Sequence, residues 1–372
     1  MEPFRIEIPD AQLEDLKARL ANTRWAERET VEDWSQGIPL AYLQELCEYW
    51  AAGYDWRATE ARLNELPQFR TEIDGLAIHF IHVRSPHEHA FPLILTHGWP
   101  GSVTEFMKVI RPLAEPEDPA DAFDLVIPSL PGYGFSDKPT RPGWGTKHIG
   151  GAWAELMARL GYERFGAHGG DWGSPITMHL AAQDPEHVAG IHLTMPVVPP
   201  RVFGELGELT ESEQAVLARV VEYRRTGNGY SKQQSTRPQT LGYGLVDSPA
   251  GQCAWVVEKF HEWTDCDGEP ENVLTKDEML DDVMLYWLPA AATSSARLYW
   301  ESFTDSDLPR VPVPAGCSSF PKEILRVPRR AVELWFDDLR QWREHDRGGH
   351  FAALEQPDAV VEDLRSLFRD LR

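Results

Sequence analysis

Between residues 92 and 194, short apolar runs alternate with segments of helical period, and this constrains the fold more than any other feature of the chain. PLILT at 92–96 reads as a buried strand, a helical segment starts near Val103, and FDLVIPSL at 123–130 is the next strand. A helix from about Gly150 to Leu160, a short strand at 164–168, a helix after Asp171 and the strand VAGIHLT at 188–194 complete the series. Strands joined by helices predict a parallel sheet, because a parallel connection must cross back over the sheet and does so as a helix. Pro196, Pro199 and Pro200 then break the rhythm. Residues 201–308 carry helical patterns such as ESEQAVLARVVEYRR and LTKDEMLDDVMLYW, before VPVPAGCSSF, a helix near 327–336 and a last strand near 340–347 resume it. A helical insert of this kind predicts a lid over the carboxyl edge of the sheet, where open α/β sheets hold their ligands.

Ahead of this core, Asp10 is a candidate N-cap for a helix with Leu13, Leu16 and Leu20 on one face, and Leu43, Leu46 and Trp50 mark a second amphipathic stretch. FRTEI and LAIHFIHV flank the turn dipeptide Asp74-Gly75 and read as a hairpin. The expected organisation is therefore an N-terminal arm and hairpin at 1–90, core at 91–200, lid at 201–308 and core again at 309–372.

The formal net charge of −23 argues against nucleic acid and against an anionic membrane surface, both of which require clustered Lys and Arg. No run approaches the ~20 apolar residues that span a bilayer, and the start has neither the basic nor the apolar region of a signal peptide. Cys47, Cys253, Cys266 and Cys317 lie far apart without a CxxC pair, which disfavours a zinc or disulfide framework and fits a cytoplasmic protein handling small molecules. His79, His82, His87 and His89 fall on a strand and a polar loop, where no helix sets ligands on one face, so a metal site is not expected there.

The chemistry concentrates at three places. In FGAHGGDWG, Gly169 and Gly173 bracket Asp171 at a strand-to-helix junction, as glycines bracket the serine of a nucleophile elbow. The local sequence leaves open an alternative in which Asp171 caps the following helix. A carboxylate nucleophile would form a reverting anhydride with a carbonyl substrate, but a stable alkyl ester at an sp3 carbon bearing a leaving group. Epoxides and alkyl halides are then the candidate substrates. His97-Gly98-Trp99-Pro100-Gly101 follows the strand at 92–96, so backbone N–H groups of Trp99 and Trp172 are candidates for an oxyanion hole and Pro100 for a cis peptide. His350, behind Gly348 and Gly349 and after the last strand, takes the place of a general base. Glu323, just beyond VPVPAGCSSF, is the candidate orienting acid; Asp305 and Asp307 precede that strand and suit a lid boundary better.

HGWPGS at 97–102, PGYGFSDKP at 131–139, GGDWG at 169–173, FPKE at 320–323 and RGGHFAALEQP at 347–357 resemble the microsomal-type epoxide hydrolases of the α/β-hydrolase superfamily. FRIEIPDAQLEDLKARLANTRW resembles the family's N-terminal meander, which wraps the core and contacts the lid, so the resemblance spans nearly the whole chain. It implies an α/β-hydrolase fold with a mostly parallel central sheet, a helical lid and two lid tyrosines that bind and protonate the epoxide oxygen. GYS at 229–231, leading into QSTRPQT at 234–240, resembles the surroundings of the first tyrosine and SSARLY at 294–299 those of the second, which assigns Tyr230 and Tyr299. Tyr243 and Tyr286 are nearby alternatives. Mammalian members carry a membrane anchor that this sequence lacks, so the resemblance implies a soluble bacterial-type member working in natural-product biosynthesis or detoxification.

The reaction expected is epoxide to vicinal diol by an Asp171 ester, with His350 activating water, Glu323 orienting it, and no metal or organic cofactor. Its rivals are a haloalkane dehalogenase, for which Trp172 would supply an indole donor to the halide, and a non-catalytic binding protein of the same fold. A homodimer is the base-rate expectation for assembly.

Overall fold

The alternation beginning at residue 91 folds into a single sheet whose reversal of strand order sets the place of the site. The structure, a computed structural model, describes residues 1–304 and 307–372, and Asp305, weighed above as a lid-boundary carboxylate, lies outside them. The N-terminal part comprises β1 (Glu2–Phe4), α1 (Asp10–Ala21), α2 (Leu40–Ala52), α3 (Trp56–Asn64), β2 (Gln68–Ile73) and β3 (Leu76–Val83). The first core half runs β4 (Phe91–Thr96), α4 (Met107–Ala114), β5 (Phe123–Pro128), α5 (Thr146–Arg159), β6 (Phe165–Gly169), α6 (Gly173–Gln183) and β7 (Val188–Leu193). Six helices follow: α7 (Glu211–Thr226), α8 (Gly229–Thr236), α9 (Pro238–Asp247), α10 (Pro249–Trp263), α11 (Lys276–Trp287) and α12 (Ala292–Thr304). The chain then returns through β8 (Val311–Ser319), α13 (Arg329–Trp335), β9 (Phe336–Glu344), α14 (Ala352–Glu355) and α15 (Pro357–Phe368).

Among the described residues the sheet order is β1-β2-β3-β5-β4-β6-β7-β8-β9. The strands from β5 to β9 are parallel, while β1, β2 and β3 add an antiparallel flank through the Asp74-Gly75 hairpin. Leu93, Ile94, Leu125, Val126, Ile127, Ala167 and Ile191 are fully buried. Burial on both faces is why these strands read as continuous apolar runs instead of alternating ones. The chain leaves β4 toward β5 on one side, and β6 lies on the other. A crevice therefore opens beyond the carboxyl ends of β4 and β6, the position where open sheets of this kind bind ligands. HGWPG at 97–101 and GGDWG at 169–173 both emerge there.

Several local expectations shift. Pro9, not Asp10, occupies the N-cap of α1, and the Asp10 carboxylate pairs with Arg57. Helix α5 starts at Thr146, ahead of Gly150, and β9 starts at Phe336, directly after α13. Strand β9 is an edge strand with charged, half-exposed positions, so its sequence carries little apolar alternation to mark its start. The N-terminal helices lie against the helices of 201–304: Tyr49 donates to Asp277 at 2.7 Å, and Tyr54 and Thr59 donate to Asp281 at 2.8 and 2.6 Å. No helix among the described residues is long and apolar enough to cross a membrane.

Candidate active site

Strand β6 ends at Gly169 and α6 begins at Gly173, which leaves Asp171 at the apex of a tight turn with φ of 46°. A left-handed backbone strains any residue with a Cβ, so the turn needs room around it. Glycine supplies that room: a Cβ on Gly173 would sit 2.0 Å from the Thr96 carbonyl oxygen, and one on Gly98 would sit 2.2 Å from Asp171 Oδ1. The capping alternative for Asp171 does not hold, because α6 has no side-chain cap. Its carboxylate instead accepts the Trp99 backbone N–H at 2.7 Å through Oδ1.

The loop that presents Trp99 is fixed from both sides. The peptide between Trp99 and Pro100 is cis. His97 contacts the Gly98 carbonyl through Nδ1 at 2.9 Å and accepts the Leu130 N–H at Nε2. That pattern requires a neutral ring, and burial holds its pKa down at about 4. From α11, the Tyr286 hydroxyl donates to the Gly101 carbonyl at 2.7 Å.

His350 reaches the same turn from the other core half. Its Nε2 lies 3.5 Å from Asp171 Oδ2, and its Nδ1 lies 2.9 and 3.1 Å from the two oxygens of Glu323. The His350 backbone N–H donates to the Trp263 carbonyl at 2.8 Å, and the Trp263 indole meets the imidazole edge-on at 4.9 Å. Burial by itself would push the His350 pKa down, but the Glu323 and Asp171 carboxylates outweigh it and hold the ring well above its ordinary value. Asp171, His350 and Glu323, read from three separate segments, are thus brought into one line.

A cavity of about 520 Å³ opens onto Asp171 and Trp172 and is lined by Tyr223, Tyr230 and Tyr299. Tyr230 on α8 stacks on Trp99 at 5.0 Å, and Tyr299 on α12 stands edge-on to Trp172 at 4.8 Å. The Tyr299 hydroxyl and the Trp172 indole N–H are buried with no hydrogen-bond partner among the described residues. Of the alternatives weighed above, Tyr286 is engaged with the loop at Gly101, and Tyr243 is 71% exposed on α9. Tyr223, whose hydroxyl donates to that of Tyr230 at 3.1 Å, escaped the sequence reading. The two are seven residues apart, but α7 ends at Thr226, so no single helical face connects them. His79 and His82 bond Ser129, Gln68 and Tyr162 within the core, and among the described residues no group of three or more His, Cys, Asp or Glu side chains could hold a metal ion. The four cysteines are buried free thiols.

Comparison with known proteins extends this geometry. Residues 1–106 match the family model for the epoxide hydrolase N terminus, and residues 92–226 match that for the alpha/beta hydrolase fold. A relative from Stigmatella aurantiaca (strain DW4/3-1) is 53% identical over 375 residues, which take in 100% of this chain and 85% of its own. Epoxide hydrolase 1 of Sus scrofa is 35% identical over 398 residues, 98% of this chain and 88% of that one. Among solved structures, juvenile hormone epoxide hydrolase from the silkworm Bombyx mori superposes with a TM-score of 0.94 at 31% identity, covering 100% of this chain and 94% of that one. The Aspergillus niger epoxide hydrolase gives 0.90 at 35% identity over 100% of this chain and 96% of its own.

Proposed function

The chain belongs to the epoxide hydrolases of the α/β hydrolase fold, and we propose that it opens its substrate in two steps through a covalent ester on Asp171. In the first step an Asp171 oxygen attacks one epoxide carbon in line with the breaking C–O bond. Tyr230 and Tyr299 donate hydrogen bonds to the departing oxygen, and a phenol of pKa ~10 is a suitable acid for an alkoxide. In the second step His350 removes a proton from water, which attacks the ester carbonyl; the ester C–O bond then breaks, and the departing diol oxygen takes that proton back from the imidazolium. The Trp99 N–H, already at 2.7 Å from Asp171 Oδ1, stands where the tetrahedral oxyanion forms, with the Trp172 N–H as its partner. Glu323 steadies the imidazolium.

The observation that carries this reading is the line from Glu323 through His350 to Asp171 beneath a cavity with two phenols. His350 is held above its ordinary pKa by two carboxylates, one of which is Asp171 itself. Esterification removes that negative charge, so the imidazole loses proton affinity and becomes a free base when the second step requires one. A halide leaving group would need only an N–H donor such as the Trp172 indole. The paired phenols have a task only when the leaving oxygen is basic, which favours the epoxide.

The test is a His350→Gln variant incubated with styrene oxide and digested for peptide mass spectrometry. The expected result is an adduct of substrate mass on the peptide containing Asp171, stable because the second step is blocked. A folded variant that yields no adduct with styrene oxide, bulkier epoxides or haloalkanes would overturn the ester mechanism.

A further inference from the structure

The two lid tyrosines occupy unlike surroundings. Tyr230 receives a hydrogen bond from the Tyr223 hydroxyl at 3.1 Å, while the buried Tyr299 hydroxyl has no partner among the described residues. Over the Tyr230 ring lies Lys259 of α10, a lysine only 2% exposed whose ammonium stands 4.8 Å from the ring centroid and 5.6 Å from that of Trp263. A buried ammonium is expensive unless it is paired, and here Glu258 at 3.0 Å and Glu262 at 3.2 Å supply the pairing. Those glutamates keep the cation buried without carrying it away from the tyrosine face. The groups facing Tyr230 are then Tyr223 from α7, Tyr299 from α12, Asp171 from the turn, and Lys259 with its two glutamates from α10.

We propose that Tyr223 and Lys259 are positioning residues that make Tyr230, and not Tyr299, the tyrosine that yields its proton to the opening ring. The inference rests on the mechanism proposed above and divides its acid function between two residues. As the Asp171–carbon bond forms and the epoxide C–O bond breaks, the Tyr230 O–H proton passes to the alkoxide and Tyr230 becomes a phenolate. A hydrogen bond donated to an oxygen stabilises it most when that oxygen is charged. A cation over the ring adds to that stabilisation. Tyr299 donates its hydrogen bond but keeps its proton. In the second step the ester C–O bond breaks and the diol oxygen takes back the proton that His350 drew from water, while the proton left on the regenerated Asp171 carboxyl passes through the water of the cavity to Tyr230, which restores all three groups. Burial, Tyr299 and the nearby Asp171 carboxylate all disfavour a phenolate at Tyr230, so the two neighbours have that opposition to offset.

The experiment follows formation and decay of the ester separately, by rapid mixing with styrene oxide, in Tyr223→Phe, Lys259→Met, Tyr230→Phe and Tyr299→Phe. Tyr223→Phe should slow ester formation about tenfold and leave ester decay unchanged, the size expected for one lost hydrogen bond to a developing anion. Lys259→Met should act on the same step. Tyr223→Phe should add nothing in a Tyr230→Phe background but add fully in a Tyr299→Phe background. A more acidic fluorinated tyrosine introduced at position 230 should restore ester formation in Tyr223→Phe, a rescue that packing alone would not give. Equal slowing of both steps, or no rescue, overturns the proposal. So does a Tyr223→Phe variant with normal ester formation where Tyr230→Phe is slow. If Tyr230→Phe itself leaves ester formation untouched, the acid role of the tyrosine fails, and the division of labour fails with it. Tyr223→Phe removes one oxygen at a half-buried position, so it carries the test alone if Lys259→Met does not fold.

Discussion

At Gly98 the space for a side chain is already taken by the Asp171 carboxylate. A Cβ there would lie 2.2 Å from Oδ1, far inside contact distance, so Gly98→Ala must displace either the carboxylate or the loop that donates the Trp99 N–H. A shift of about 1 Å in a reacting group costs on the order of 10²-fold in rate. The expected outcome is a loss of that order in kcat/KM, with a stability loss of about 1–3 kcal/mol from the overpacking. Steady-state kinetics beside a denaturant titration would check it, and an alanine variant with near-normal turnover would refute the packing argument. The line of Asp171, His350 and Glu323 was legible in the sequence because glycines mark each of its members except Glu323. Asp171 lies between Gly169 and Gly173, and His350 follows Gly348 and Gly349. Tyr223 and Lys259 were not legible. Their neighbours, VVEYRRT and VVEKFHEW, mix charged and apolar residues at helical spacing, and only the packing of α7, α8 and α10 turns one cation and one phenol inward.

At the scale of elements, the loop at 97–105 meets α11 across a buried polar seam. Tyr286 holds the Gly101 carbonyl, and Asp282, one turn earlier, faces Thr104, with its Oδ2 lacking a partner among the described residues. Burial drives the Asp282 pKa up to about 8 and that of Glu105 on the loop up to about 8 as well. The unfolded values lie near 4, so the folded state holds protons that the unfolded state releases as pH rises from about 4 to 8. The contribution of these two carboxyls to stability therefore falls through that window. Asp282→Asn removes one of these protons from the balance while preserving shape. Its thermal midpoint should match the wild type near pH 4 and exceed it by an amount that grows toward pH 8, equivalent to about 1–3 kcal/mol there. Melting curves across the window that run parallel for the two proteins would show that Asp282 is not buried as a neutral acid. Helix α3, β1 and the start of β9 were among the elements the sequence reading missed, as were α14 and α15. Short or edge elements such as β1 and β9 carry too few apolar positions to set a period, whereas β4 to β7 are buried on both faces and announce themselves.

Over the whole molecule, the N-terminal arm and the helices of 201–304 share a polar junction centred on Asp281 of α11. Its carboxylate accepts from Thr59 and Tyr54 and pairs with Arg62, and it is only 3% exposed. Removing it leaves the buried Thr59 hydroxyl without its acceptor and the arm without its main polar contact at that point. Asp281→Ala should lower stability by about 2–4 kcal/mol, the range for breaking a buried charged hydrogen-bond group. Urea unfolding would measure the loss, and a change within experimental scatter would assign the arm's docking to apolar contacts instead. The sequence indicated an arm and a lid separately, yet nothing local in either tells which surfaces meet. The same junction bears on how the protein comes into being. Thr59 and Asp281 are 222 positions apart, so on a ribosome the arm emerges long before the helix it docks against. At ~5–20 residues per second the wait is on the order of ten seconds or more. During that interval α1 to α3 lack the helices they pack against, and His350 has not been made. The line from Asp171 to His350 is therefore completed only in the last tenth of the chain, and a stalled or truncated nascent protein carries the aspartate without its histidine partner.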